Sequence, residues 1–312
     1  MTIPPPPKPA KTPRFKMVFR EPDLAVGHRV LIYGKPGCGK TTLMLRGLPR
    51  PLVAFDFDNS ISILLQKPKE VSGIDPTGIY LADIDTDGEG RLDFGSFLTA
   101  LRSATVLDAN GRTRHLSDKW LGVKSTLIDT GTFAEHSIEP FIFEHPDRYP
   151  TQNAKKPKAT SLADFAFRCG NIYKQDLYQL MLNYLYNIVS CHVHIGLVYH
   201  TAVGKTPNLE SADGYALQYQ PDSWVQGKTS LADSAMGWCD HVGFIKADAV
   251  LDTITVSENA GKVKEKAVER FTGNATISFS STGDHIGKSR TLYGNAATIN
   301  LADFDLSMLG IK

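Results

Sequence analysis

Short apolar runs alternate with stretches of helical spacing along most of the chain after residue 24. The apolar runs predict buried strands at 29–33, 51–57, 78–84, 125–129 and 194–199. Between them, apolar spacing predicts helices at 41–47, 94–106, 132–143 and 170–189. The last of these helices has one apolar face, made of Ile172, Leu177, Leu180, Met181, Tyr184, Leu185 and Ile188. Strands that alternate with helices are typical of a mainly parallel, twisted sheet covered on both faces, so the pattern predicts an α/β fold.

The last third of the chain has a different pattern, because its apolar segments follow one another without helical spacing between them. Residues 240–247, 249–256 and 274–280 predict successive antiparallel strands that extend the parallel core. Two other stretches, 145–164 and 201–230, fit neither pattern and are expected to be irregular insertions. Long irregular loops inside a compact domain are usually functional or disordered.

Composition and charge narrow the classes of protein that the chain can represent. Its 312 residues carry 34 lysines and arginines against 33 acids, so any nucleic-acid site must arise from a local patch. No apolar run reaches the roughly 18 residues of a membrane span, and the N-terminus lacks the apolar core of a secretory signal. The four cysteines form no CxxC pair, which favours reduced thiols in the cytoplasm. Residues 1–20, basic and rich in proline, predict a disordered tail, and 21–312 predict a single domain.

The strongest motif is Gly34-Lys-Pro-Gly-Cys-Gly-Lys40-Thr41, which fits the phosphate-loop pattern GxxxxGK[ST]. It follows a predicted strand and opens a predicted helix, as such a loop must. Glycines let backbone N–H groups turn inward around phosphate oxygens. Lys40 is expected to reach the β- and γ-phosphates, and the Thr41 hydroxyl to bind Mg²⁺. The residues expected to contact the nucleotide are Gly34, Lys35, Pro36, Gly37, Cys38, Gly39, Lys40, Thr41 and Thr42.

Carboxylates at the ends of two predicted strands complete the expected site. Asp129 ends the strand STLID, where a carboxylate can hold or orient Mg²⁺, although a strand-end Asp can also cap a turn. Asp58 is expected to be the base that positions the attacking water, with Asp56 in support. The alternative for Asp58 is capping of the turn that continues through Asn59 and Ser60.

His200 closes the strand HIGLVYH and is the third candidate at a strand end. Its side chain could contact the γ-phosphate and relay the loss of that phosphate into the stretch 201–230. The alternative is a structural histidine whose hydrogen bonds are satisfied within the fold.

The order of the motifs resembles the phage-encoded RecA-like ATPases of the single-strand annealing and recombination type. The resemblance covers most of 26–295 and includes GKTSLADS…CDHVGF (227–244) and HIGKSR (285–290). It implies a RecA-like core that binds ATP and Mg²⁺ at subunit junctions of a homo-oligomeric ring or filament. Such proteins usually show D-x-E after the second strand and ID-S after the third, whereas this chain has Asp56-x-Asp58 and Ile128-Asp129-Thr130.

The resemblance also assigns Lys288 and Arg290, since a K-x-R pair on a late strand is similar to the cations that some relatives extend into a neighbour's ATP site. Their charges could stabilise a transferring phosphoryl group, which makes them catalytic candidates in trans. The alternative is a solvated basic face.

Single-stranded DNA is the partner that the resemblance implies, bound by the two irregular stretches. The first carries Arg148, Lys155, Lys156 and Lys158 together with aromatic residues, and this mixture suits phosphate contact and base stacking. A mobile surface insertion is the alternative, and the second stretch is weaker because its charges balance. The function expected is a DNA-stimulated, Mg²⁺-dependent ATPase in phage recombination, annealing or replication, in the cytoplasm of the bacterial host. A ring-type motor, an ATP-gated DNA clamp with negligible turnover and a small-molecule kinase remain alternatives.

Overall fold

A computed structural model gives the structure of the chain, and it describes residues 26–86, 92–107, 113–151, 159–165, 169–207, 215–223, 225–226, 229–259, 262–292 and 297–311. The predicted tail at 1–20 therefore lies outside the described residues. The strands are β1 (Arg29–Gly34), β2 (Leu52–Asp56), β3 (Ile79–Leu81), β4 (Thr105–Leu107), β5 (Thr113–Leu116), β6 (Ser125–Asp129), β7 (His194–Tyr199), β8 (Thr201–Pro207), β9 (Tyr215–Pro221), β10 (Val225–Gln226), β11 (Thr229–Ser230), β12 (His241–Asn259), β13 (Lys262–Ser278) and β14 (Thr298–Asn300).

The helices occupy most of the segments between the core strands. They are α1 (Lys40–Gly47), α2 (Ser60–Leu65), α3 (Lys69–Ser72), α4 (Phe94–Ser103), α5 (Gly131–His136), α6 (Ile138–Glu144), α7 (Cys169–Val189) and α8 (Leu231–Trp238). Short 3₁₀ turns lie at Asp118–Trp120, Leu162–Asp164 and Leu306–Leu309.

One eight-stranded sheet organises the described residues, in the order β14-β13-β12-β1-β7-β6-β2-β3. The six strands from β12 to β3 run parallel, and β13 and β14 extend the sheet in antiparallel fashion. Parallel strands end at one edge, which we call the carboxyl edge, and begin at the opposite amino edge. Two predicted features of the fold are confirmed: the mainly parallel sheet with flanking helices, and the C-terminal antiparallel extension.

The sheet separates two apolar layers. Along β1, Leu31 and Tyr33 pack into one layer, and Val30 and Ile32 into the other. The first layer contains the inner faces of α4, α6, α7 and α8, whereas the second contains α1 and the segment 304–311. Since successive side chains of a strand point to opposite faces, a strand buried on both sides must be apolar throughout, which explains the run RVLIY.

Helix α7 matches the predicted span and, except at Ile172, the predicted apolar face. Leu177, Met181, Leu185 and Ile188 are buried as expected, and Leu180 and Tyr184 are half-buried. Ile172, however, is 50% exposed. The first turns of the helix instead bury Lys174, whose ammonium lies 2.8 Å from Glu139 Oε1 and 3.6 Å from Glu135 Oε1. A buried ion pair thus decides which side faces inward there, and apolar spacing alone does not reveal it.

Two sequence-based assignments of irregular or antiparallel structure are wrong in part. The stretch 201–230 contains an antiparallel hairpin, because β8 and β9 pair from Thr201–Pro221 to Pro207–Tyr215. These two strands contain many small and polar residues, so composition does not predict that they pair. The segments 240–247 and 249–256 form one long strand, β12, whose first part runs parallel to β1 before pairing with β13.

Candidate functional site

The phosphate loop joins the end of β1 to the start of α1 at the carboxyl edge. Gly37 and Gly39 have φ angles of 78° and 93°, in the left-handed region that favours glycine. At Gly34, a Cβ atom would lie 2.6 Å from the carbonyl oxygen of Ile245 and 2.9 Å from Cys38 Sγ. The glycines of the motif are therefore required by backbone conformation and by close packing against β12.

Lys40 lies inside this loop and not at its surface. Its side chain is buried, and Nζ donates hydrogen bonds to the carbonyl oxygens of Gly34 at 3.0 Å and Lys35 at 2.9 Å. Burial lowers the pKa of Lys40, while the nearby Cys38, Asp129 and Asp58 raise it. The ammonium is thus held at the centre of the loop, where an anion can replace its two carbonyl partners.

Asp129 stands opposite the loop at the end of β6 and is fully buried. Its Oδ2 accepts a 2.8 Å hydrogen bond from Ser60 Oγ, but Oδ1 accepts none of normal geometry from the described residues. Burial raises the pKa of Asp129 to about 6, the Thr41 and Ser60 hydroxyls lower it, and the charge of Asp58 raises it. Thr41 and Asp129, the two predicted metal ligands, therefore lie close together.

The carboxylate oxygen Oδ1 of Asp129 tests whether the site fits a magnesium ion. A buried carboxylate oxygen without a hydrogen-bond donor costs free energy unless a cation or a cation-bound water contacts it. Hard oxygen ligands from a carboxylate and a threonine hydroxyl are those that Mg²⁺ takes beside nucleotide phosphates. The residues present therefore fit the metal.

Asp56 and Asp58 have different surroundings, although both follow β2. Asp56 lies in register with Asp129, but its oxygens accept hydrogen bonds from Ile61 N at 3.1 Å, Ser62 N at 2.8 Å and Ser62 Oγ at 2.7 Å. Asp56 therefore holds the start of α2, and its support of Asp58 remains a prediction. Sequence reasoning weighed turn capping for Asp58 and not for Asp56.

The surroundings of Asp58 are compatible with both roles that the sequence left open. Its Oδ1 accepts a 3.0 Å hydrogen bond from Ser60 N, which is the turn-capping contact. Its charge also raises the pKa values of Lys40, Asp129 and His200, so the carboxylate lies within electrostatic reach of all three. The role of Asp58 as a base remains a prediction.

His200 follows β7 and adjoins the same cluster. Its Nδ1 is buried and finds no hydrogen-bond partner in the part of the chain that the structure describes. Burial and Lys40 lower the pKa of His200, while Asp58 and Asp222 raise it. The imidazole lies within electrostatic reach of Lys40 and Asp58, and its buried Nδ1 is suited to contact a bound water or a protonated ligand group.

The backbone around His200 ties this residue to the base of the β8–β9 hairpin, a link that the sequence does not reveal. His200 N donates to Thr132 Oγ1 at 3.2 Å, and the carbonyl oxygen of His200 accepts from Asp222 N at 2.8 Å. Thr132 Oγ1 in turn donates to the carbonyl oxygen of Asp222 at 3.0 Å. Beside it, the Ser223 hydroxyl donates to the buried Glu135. The start of β8 and the residues after β9 are thus held by the same hydrogen bonds, which join Thr132, His200 and Asp222.

Lys288 and Arg290 are not near this cluster within the chain. Lys288 pairs with Val242 near the start of β12 and donates from Nζ to the carbonyl oxygen of Gly237 at 3.1 Å. Arg290 lies 3.0 Å from Asp240 Oδ1, and Asp240 also binds Arg29 at the start of β1. The length of β1, at roughly 3.3 Å per residue, puts about 17 Å between that amino edge and the loop. Their role as catalytic cations in trans remains a prediction.

Of the four predicted DNA contacts, only Arg148 lies within the described residues. It is exposed and lines a cavity of about 560 Å³ together with Arg102, His145 and Tyr149. Lys155, Lys156 and Lys158 lie outside the described residues.

Comparison with known proteins assigns neither a family nor a function to the chain. No family model matches the chain, and no curated protein matches it either. Among solved structures, the chain is similar to a KaiC-like protein from the hyperthermophilic archaeon Pyrococcus horikoshii OT3. The two are 13% identical with a TM-score of 0.39, over 88% of this chain and 85% of that one. Among the described helices, none combines the length and apolar character needed to cross a membrane.

Proposed function

We propose that the chain is a RecA-like P-loop ATPase that binds ATP and Mg²⁺ at the carboxyl edge of its sheet. One observation carries the proposal: Lys40, Thr41 and Asp129 meet at the phosphate loop, and no described residue donates to the buried Oδ1 of Asp129. A central ammonium, inward-facing amides and a buried carboxylate oxygen are what a metal-bound triphosphate needs.

In the proposed reaction, Lys40 gives up its bonds to the two loop carbonyls and donates to β- and γ-phosphate oxygens. Thr41 and Asp129 would hold Mg²⁺, which when bound neutralises charge on those oxygens. Asp58 orients the attacking water in line with the γ-phosphorus. Its turn contact uses Oδ1, so Oδ2 is the atom assigned to the water.

His200 is proposed to sense the γ-phosphate through Nδ1. Its support is the buried, unpartnered Nδ1 of a ring within electrostatic reach of Lys40 and Asp58, together with the anchoring of the hairpin base at His200 and Asp222. Loss of the phosphate would change the contacts of the imidazole, and the hairpin would respond because its base is bonded to the same residue.

We also propose that Lys288 and Arg290 act on the nucleotide of a neighbouring copy, in a homo-oligomeric ring or filament. Support comes from their place at the amino edge, far from the loop of their own chain. Head-to-tail contacts that bring one copy's amino edge to the next copy's carboxyl edge would join the two halves of the site.

The proposed partner is single-stranded DNA, and the proposed context is phage recombination, annealing or replication in the bacterial cytoplasm. The resemblance in motif order supports this context, as does the exposed Arg148 at the start of the basic stretch. Replacing Lys155, Lys156 and Lys158 together with alanine is expected to weaken DNA binding and flatten its dependence on salt, because each lost phosphate contact lowers the slope by about one unit. An unchanged slope would argue against this interface.

The decisive experiment is steady-state ATP hydrolysis with and without single-stranded DNA, alongside equilibrium binding of MgATP. We expect hydrolysis that DNA stimulates, and we expect Lys40→Ala to abolish it and to weaken nucleotide binding. Lys67→Ala removes an exposed lysine of the same region and serves as the matched control. Nucleotide binding that survives Lys40→Ala unchanged would refute the site. DNA binding that depends on ATP without turnover would favour the alternative of an ATP-gated DNA clamp. Directional strand displacement would favour the alternative of a ring-type motor.

A further inference from the structure

The cavity beside Arg148 plays no part in the proposed ATP chemistry. Its volume is about 560 Å³, within the roughly 300 to 1,000 Å³ typical of small-ligand sites. It lies between three helices of the first apolar layer, because α4, α6 and α7 all contribute to its lining. Helix α1 packs in the second layer, so the sheet separates the cavity from that helix. A ligand in this cavity would therefore be distinct from a nucleotide held by the phosphate loop.

The inner surface of the cavity is apolar and aromatic. Leu98, Phe141 and Leu177 line it and are at most 8% exposed. Tyr149 also lines it, is half-buried, and stands beside Phe141 with ring centroids 6.2 Å apart. Apolar and aromatic side chains bury a flat ring and can stack on its face or edge. The inner surface therefore suits a planar, largely apolar group.

The rim of the cavity is cationic. Arg102 in the last turn of α4 and Arg148 in the turn after α6 both line the cavity and are exposed. Among the residues that the structure describes, neither guanidinium forms an ion pair or a side-chain hydrogen bond. Asp93, the acidic residue of the lining, already caps α4 by accepting a 2.6 Å hydrogen bond from Ser96 N. Guanidinium groups bind phosphate through paired N–H donors, so the rim suits a phosphate.

Polar atoms of the lining add hydrogen-bond acceptors. His145 Nδ1 lies 2.8 Å from the carbonyl oxygen of Phe141. Because a carbonyl oxygen only accepts, Nδ1 carries the proton, and Nε2 of the neutral ring is an acceptor. Thr99 Oγ1 donates to the carbonyl oxygen of Gly95 at 2.9 Å, so its own lone pairs are also acceptors. These atoms suit the amino group of a nucleobase.

We infer that this cavity binds one nucleotide, with its phosphate on the arginine rim and its base on the apolar inner surface. The rim, the inner surface and the acceptors match a phosphate, a flat ring and an amino group on that ring. The same unit occurs as a free mononucleotide and as one residue of a single-stranded nucleic acid. The strand form rests on the proposed DNA partner, whereas the free form does not depend on the proposed function.

The free form is tested by the dissociation constants of adenosine monophosphate (AMP), ribose 5-phosphate and adenosine for the full chain. We expect AMP to bind at least about tenfold more tightly than either part. Lys40→Ala should bind AMP within about twofold of wild type, because the phosphate loop is not the site. Arg102→Ala should weaken AMP about tenfold. Lys119→Ala removes an exposed lysine outside the cavity and should leave AMP binding unchanged.

A second variant tests the position of the base. Thr99→Trp fills the cavity from an exposed position on α4, and Ile172→Trp introduces the same ring at an exposed position of α7 outside the cavity. We expect Thr99→Trp to weaken AMP about tenfold or more and ribose 5-phosphate by no more than about twofold. Ile172→Trp should change neither ligand.

The strand form is tested with oligodeoxyadenylate and an abasic strand of the same length. A base in the cavity makes Thr99→Trp weaken binding of the oligodeoxyadenylate but not of the abasic strand. If neither AMP nor oligodeoxyadenylate responds to Arg102→Ala and Thr99→Trp, the inference is overturned. Loss of AMP binding in Lys40→Ala would also overturn it, because the nucleotide would then lie in the phosphate loop. Failure of the wild-type protein to bind MgATP would refute the proposed function and leave the AMP result standing.

Discussion

The two edges of the central sheet differ in how their buried carboxylates are hydrogen-bonded. At the amino edge, Asp240 accepts two hydrogen bonds from the side chain of Arg29, at 2.9 and 2.7 Å, and lies 3.0 Å from Arg290. At the carboxyl edge, Asp129 Oδ1 and His200 Nδ1 are buried without a hydrogen-bond partner among the described residues. Polar groups that satisfy one another stabilise a fold, whereas buried groups left unsatisfied are suited to a ligand. The contrast is between a carboxylate that stabilises the fold, Asp240, and one that is suited to a ligand, Asp129.

The largest effect is expected at the carboxyl edge. Asp129→Asn keeps the size of the side chain but removes the charge that the metal requires, so hydrolysis should fall by about a thousandfold. The temperature of thermal unfolding should change little or rise, because burial already disfavours the charged form of Asp129. Single-turnover hydrolysis and calorimetry check the two halves of this expectation. Retention of full activity would place the metal elsewhere.

The amino edge should show the reverse pattern. Asp240→Ala leaves the largely buried Arg29 without its carboxylate, which should cost about 3 kcal/mol of folding free energy. Nucleotide affinity of the folded fraction should not change. Asp75→Ala is the control: it breaks the exposed ion pair with Lys69 and should have little effect on the denaturant midpoint of unfolding. Loss of ATP affinity in Asp240→Ala at full stability would break the contrast between the edges.

The next largest effect is expected from acid, which should lower the folding stability through histidines at the amino edge. His28, His194 and His241 stack in a row on three neighbouring strands, with ring centroids 5.6 and 5.5 Å apart. Burial lowers the pKa of all three, to about 4 for His194 and His241. Arg290, Lys288 and Lys124 oppose their protonation, and Asp240 favours it.

The sign of the acid effect follows from these lowered values. The unfolded chain takes up protons as pH falls through about 6.5, while the folded histidines stay neutral until about 4, so the folded state loses stability across that window. The loss should be about a few kcal/mol, smaller than the full shifts imply because solvent screens the partly exposed rings among them. Urea unfolding at several pH values measures it, and His194→Asn should reduce the slope. An equal slope in that variant would exclude the row as its source.

The smallest of these effects tests whether the two edges meet between copies. Arg290→Ala should lower hydrolysis about tenfold, and mixing it with the Lys40→Ala variant should restore part of the activity, since each supplies the half that the other lacks. Hydrolysis per subunit should also rise with protein concentration. Failure of the mixture to recover any activity, with oligomers present, would refute action in trans.

The sequence was sufficient for features fixed by local chemistry. The glycines of the loop, the strand that ends at Asp129 and the span of α7 all follow from spacing and residue type. The capping of α2 by Asp56, the inward turn of Lys174 and the pairing of β8 with β9 depend on partners distant in the chain. Motif and period carry no information about such partners, which explains why the sequence predicts the residues of the candidate site but not the contacts that support them.

The shared anchoring of the β8–β9 hairpin has a practical consequence. Thr132 and the backbone of His200 and Asp222 fix both ends of the hairpin beside the phosphate loop, whereas Pro207 and Tyr215 pair at its far end. A reporter group inserted between those two residues would leave the anchors intact. The hairpin is therefore a natural place to attach a fluorophore that follows nucleotide turnover without entering the chemistry.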